Sequence, residues 1–155
     1  MAVITYAPFT NLSDIVLNEQ EGYIAFNREN IVLKETLADD STPVTKVKAG
    51  TVVFRLKGAA TNKTPFAVVE TVADLAATND VAIVIGNAME FRPEFDLIPS
   101  DGTYFNAVAL VGGAIQIRDY KVIEMLEEQG VTITFDALQP LLRAQGFKLV
   151  ETFGA

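Results

Sequence analysis

Three carboxylates in one short stretch are the residues best spaced for chemistry. Glu90, Glu94 and Asp96 fall at even intervals, and alternate residues of a strand share one face. Paired carboxylates carry out glycoside hydrolysis, one as acid and the other as base or nucleophile. The same spacing describes a plain charged face in water, and the neighbouring Arg92 favours that interpretation. A carboxylate enzyme is therefore the weaker hypothesis.

Two other acidic clusters are weaker still as metal sites. The segment Asp39–Thr42 offers oxygen ligands in succession, but it lacks the spaced acidic residues and distal glutamate of a calcium loop. Glu124, Glu127 and Glu128 follow a helical period, for which a solvated helix face is the ordinary explanation. We predict a solvated turn, a solvated helix face, and no catalytic residue, metal or cofactor.

Composition removes several further classes of function. The 155 residues include no cysteine and no histidine, which excludes disulfides, thiolate zinc sites and the commonest general base. The formal net charge of −8 disfavours a nucleic-acid partner, since such binders need a basic surface. No apolar run is long enough to span a membrane, and the N-terminus lacks a secretory pattern. We expect no enzyme activity, no nucleic-acid partner and no membrane partner.

The three carboxylates belong to the stretch 80–118, which is the predicted centre of the fold. Val81–Ile85 is apolar at every position, which predicts a strand covered on both faces. A turn at Ser100–Thr103 separates this stretch into two β-like halves. Further strands are predicted at 27–33, 51–57, 104–111 and 114–118.

After Arg118 the apolar period changes from strand-like to helical. We predict helices near 120–129 and 137–145, ended by Gly130 and Gly146. Asp119 is the predicted cap of the first helix. Asp136 and Gln139 form an imperfect capping box for the second, with Pro140 in its first turn. Alternatively, Pro140 is itself the first helical residue, and Gln139 lies outside the helix. Val131–Phe135 and Phe147–Val150 are predicted strands, and the 11 residues between them just suffice for a parallel crossover.

These elements predict an α+β fold that is mainly β, with a compact β-rich core, short C-terminal helices and an extended N-terminal arm. We predict one domain over 23–155, in which 119–155 is a helical C-terminal extension, preceded by the arm 1–22. The arm has no regular period but carries several large apolar side chains. Its pattern alone fits a terminal segment packed on its own domain as well as it fits an arm docked on another subunit.

Three stretches resemble, in their order and spacing, the head decoration proteins of tailed bacteriophages, the family of the lambda head protein D. The resemblance covers roughly residues 23–118, and the helical extension has no counterpart in the small lambda protein. Asn27 stands where the family commonly has a serine. The stretches that carry the resemblance are Phe26–Leu33, Lys48–Val53 (with its Gly-Thr-Val) and Val81–Phe91.

The resemblance implies a structural virion protein that binds the outer surface of the expanded capsid and cements neighbouring major capsid subunits. It implies a homotrimer on the capsid, assembly in the host cytoplasm, and an N-terminal segment that pairs with a capsid strand by β-augmentation. The alternative is another virion or extracellular β-module, such as a tail or adhesin domain. The arm residues predicted to bind the capsid are Val3, Ile4, Tyr6, Phe9, Ile15 and Leu17.

Overall fold

The computed structural model describes residues 15–19, 27–34, 46–57, 65–86, 94–96, 98–99, 104–112 and 115–151. Within them the fold is α+β and mainly β, which confirms the predicted class. Two α-helices lie wholly within the described residues, α1 (Asp119–Glu128) and α2 (Phe135–Ala144), and Val72–Leu75 forms a short 3-10 helix. The strands are β1 (Val16–Glu19), β2 (Arg28–Lys34), β3 (Lys46–Lys48), β4 (Val52–Leu56), β5 (Ala67–Val68), β6 (Asn79–Gly86), β7 (Glu94–Asp96), β8 (Ile98–Pro99), β9 (Tyr104–Leu110), β10 (Ile115–Arg118) and β11 (Phe147–Val150).

The largest sheet is antiparallel and curls until its two sides meet. Its strand order is β2-β9-β6-β4-β5, and β8 also pairs with β9. Phe66, which directly precedes β5, forms a bridge to Leu33 of β2. The Phe66 N–H donates to the Val32 carbonyl at 2.7 Å. The first and last members of the strand order are therefore joined, and the sheet has an inner and an outer face.

The inner face is filled by residues that alternate along the strands, many of them small. Three of its buried residues are alanines, Ala82, Ala107 and Ala109. A closed sheet of few strands leaves little room at its centre, so small side chains there let the strands approach. The other buried residues of this inner cluster are Ile31, Leu33, Val53, Phe66 and Val84.

The outer face packs against α1, α2 and a second sheet of order β1-β10-β11. Within Val81–Ile85, odd-numbered residues join this outer cluster and even-numbered residues join the inner one. That arrangement confirms the prediction of a strand covered on both faces. The outer cluster includes Val52, Leu110, Ile117, Leu126, Leu138, Leu142 and Phe147.

The two C-terminal helices lie within two residues of their predicted positions, but α2 begins differently. Thr134 is its N-cap, and the Thr134 hydroxyl accepts the Ala137 N–H at 3.4 Å. The cap at Thr134 makes Phe135 the first helical residue and Pro140 the sixth, so the prediction that Pro140 lies in the first turn is wrong. Likewise, the N-cap of α1 is Arg118, and Asp119 is its first helical residue.

The predicted parallel pair exists, but with a different partner. β11 pairs in parallel with β10, whereas Val131–Thr134 forms no strand. The crossover therefore contains both helices. Gly130 and Gly146 end them as predicted, each with φ of +87°. Among the described residues, none of the helices is long and apolar enough to cross a membrane.

Candidate functional site

Two of the six residues predicted to bind a capsid lie within the described part of the chain. Ile15 is 1% exposed and belongs to the outer core cluster. This burial conflicts with a capsid contact by Ile15, because its side chain is already enclosed by its own domain. Leu17 lies in β1, at the irregularity between Val16 and Asn18. The other four, Val3, Ile4, Tyr6 and Phe9, lie outside the described residues.

β1 has the position that strand addition requires. It pairs antiparallel with β10 and is the first strand in the order β1-β10-β11. On its other side it has no strand partner among the described residues. An edge strand presents unpaired backbone groups along its outer side, which is the surface that an added strand uses.

Ile15 and Val16 fix this strand to the domain. Ile15 is buried in the outer cluster, and Val16 is half-buried against the same cluster. Val16 also lies opposite Ile117 of β10, which is fully buried. Ile15 and Val16 are therefore part of the folded core, although both lie inside the predicted arm 1–22.

Two of the three residues considered for catalysis, Glu94 and Asp96, lie in β7, whose backbone pairs with β3. In the β3–β7 pair, Lys46 is the partner of Asp96 and Lys48 is the partner of Glu94. Opposite charges at directly opposed positions stabilise an antiparallel pair. The backbone register thus places residue types of opposite charge at opposed positions, which is the pattern expected of a charged face. Glu90 and Arg92 lie outside the described residues.

The glutamates of α1 lie on a solvated face, as predicted. Glu124, Glu127 and Glu128 are exposed. Glu124 Oε2 forms an ion pair with Lys121 Nζ at 3.3 Å. The described residues contain no group of three acidic side chains placed to hold a metal ion. Asp39–Thr42 lies outside them.

One end of the closed sheet opens into a groove of about 310 Å³, which we call the mouth. Its charged lining residues continue the inward-facing alternation of three strands. Glu29 precedes Ile31 on β2, Arg55 follows Val53 on β4, and Asp80 precedes Ala82 on β6. The inward-facing positions of these three strands are thus apolar inside the closed sheet and charged at the mouth.

Arg55 is the lining residue of the mouth with the most clearly defined contacts. Its Nε donates to Asp80 Oδ2 at 3.3 Å, and its guanidinium carbon lies 4.6 Å from the centre of the Phe66 ring. The Arg55 side chain is only 14% exposed. A guanidinium over an aromatic face and beside a carboxylate is held by both contacts. Arg55 is consequently fixed at this end of the inner core, beside an open groove with a charged lining.

Two glutamines that the sequence analysis did not single out join the C-terminal helices to the large sheet. Gln129 and Gln145 are the C-caps of α1 and α2, and each precedes a glycine with positive φ. Gln145 Oε1 accepts the Val81 N–H at 3.2 Å, and its Nε2 donates to the Asn79 carbonyl at 2.7 Å. The pairing of β6 with β9 ends at Leu110, which lies opposite Ile83, so Asn79 and Val81 have no partner in β9. The Gln145 amide makes the hydrogen bonds that a longer β9 would otherwise make to them. The signal in the sequence is the Gln-Gly pair that ends both helices.

Comparison with known proteins finds no relative. No protein-family model matches the chain, and neither the curated proteins nor the solved structures contain a match.

Proposed function

We propose that this chain is a structural virion protein that binds the outer surface of an expanded tailed-phage capsid and cements neighbouring major capsid subunits. The observation that carries the proposal is the position of β1. It is the most N-terminal described strand, it lies at the edge of its sheet, and its own start is fixed in the core by Ile15. A segment that precedes it is thereby tied to the domain at one end and can pair with a capsid strand.

The proposed contact uses residues 1–14 and not the whole of 1–22. The apolar side chains available there are Val3, Ile4, Tyr6 and Phe9. Burial of apolar surface contributes about 25 cal/mol per Å², while ordering the backbone costs about 1–2 kcal/mol per residue. Side-chain burial alone does not offset that cost, so the proposed contact requires backbone hydrogen bonds to a capsid strand as well.

The charge of the chain supports a position outside the shell. A net charge of −8 repels packaged DNA and keeps a protein soluble at high concentration before assembly. We place the protein on the outer capsid surface after assembly in the host cytoplasm. Its proposed partners are the major capsid protein and further copies of itself, as a homotrimer on the capsid.

The test is whether the protein strengthens expanded heads. Undecorated expanded heads, assembled from the major capsid protein of the same phage, are heated with and without the full-length protein, and disruption is followed by light scattering. The proposal predicts a higher disruption temperature for expanded heads and no change for unexpanded shells. Equal disruption temperatures for expanded heads would overturn it. Binding to isolated tails instead would favour the alternative of a tail module.

A further inference from the structure

We draw no further inference here: the strongest candidate, the mouth of the closed sheet, carries nothing because its two acidic residues (Glu29 and Asp80) and two basic residues (Arg55 and Lys57) favour no ligand charge, Arg55 is already held by Asp80 and Phe66, and nothing in the structure shows what occupies the groove.

Discussion

The side-chain amide of Gln129 hydrogen-bonds both backbone groups of Val52, a residue 77 positions earlier in the chain. Gln129 Oε1 accepts the Val52 N–H at 2.9 Å, and Gln129 Nε2 donates to the Val52 carbonyl at 2.9 Å. A neighbouring strand supplies the same two bonds in an antiparallel ladder. The end of α1 therefore satisfies the backbone of β4 at a fully buried residue.

Replacing Gln129 by leucine should lower the free energy of unfolding by about 1–3 kcal/mol, the cost of a buried backbone group left without a partner. The Val52 N–H loses its acceptor, whereas the Val52 carbonyl keeps the Val69 N–H at 3.1 Å. Urea denaturation measures the change.

The matched control for this substitution is Gln139→Leu in α2. Gln139 is half-buried and makes no hydrogen bond through its side chain among the described residues. Its replacement should change the free energy of unfolding by no more than about 0.5 kcal/mol. Equal losses for the two variants would show that the Gln129–Val52 bonds do not stabilise the fold.

Gly112 and Gly130 provide a second matched pair. Both have positive φ, +84° and +87°, so alanine at either position costs about 1–2 kcal/mol in backbone strain. A Cβ at Gly112 would lie 2.2 Å from the Gln145 carbonyl oxygen, while a Cβ at Gly130 meets nothing within 4 Å. Gly112→Ala should therefore destabilise the protein more than Gly130→Ala in the same urea experiment. Equal losses for the two variants would contradict the close approach of the Gly112 backbone to the Gln145 carbonyl.

The elements of the fold were predictable where a local period determines them. The alternation of Val81–Ile85 and the helical spacing of Val122, Ile123 and Leu126 each depend on neighbours within one element, and the structure places a strand and a helix there. The start of α2 was missed because the Thr134 cap competes with the constraint inferred from Pro140.

Contacts between distant elements were not predictable from the same patterns. The partner of β11 depends on where both helices pack, and that packing places it beside β10 instead of Val131–Phe135. The amide contacts of Gln129 and Gln145 likewise join residues at least 60 positions apart. A polar residue at the end of a helix does not reveal which backbone group it will bind.

Arg55 should contribute to stability through its contacts with Asp80 and Phe66 at the mouth. Arg55→Met keeps the apolar stem but removes the charge that faces Asp80 and the Phe66 ring. We expect a loss of about 1–2 kcal/mol in the free energy of unfolding. A cation over an aromatic ring contributes about 0.5–1 kcal/mol at exposed sites and more when desolvated. The half-buried ion pair with Asp80 is lost at the same time. Lys57→Met is the control, since Lys57 directly follows β4, lines the same groove and is exposed, and its replacement should cost less than about 0.5 kcal/mol. If Arg55→Met were as stable as Lys57→Met, the contacts of Arg55 with Asp80 and Phe66 would not stabilise the fold.

Ile15 should behave as a core residue and not as a capsid contact. Ile15→Ala should lower the free energy of unfolding by about 2–5 kcal/mol, as expected for truncation of a buried isoleucine. Val72→Ala, at a residue that is 46% exposed, should cost far less. If the Ile15 variant kept full stability but lost capsid binding, the assignment of Ile15 to the core would be refuted.

The most direct test of the central claim is co-sedimentation of the protein lacking residues 1–14 with undecorated expanded heads. The truncated chain keeps Ile15 and β1, so we expect it to unfold cooperatively in urea yet to stay in the supernatant, whereas the full-length protein pellets with the heads. The full-length Tyr6→Ala, Phe9→Ala variant tests the same contact without truncation and should bind more weakly. If both variants pelleted at the full-length level, the proposed contact through residues 1–14 would be wrong. If the full-length protein itself stayed in the supernatant, the proposed function would be contradicted.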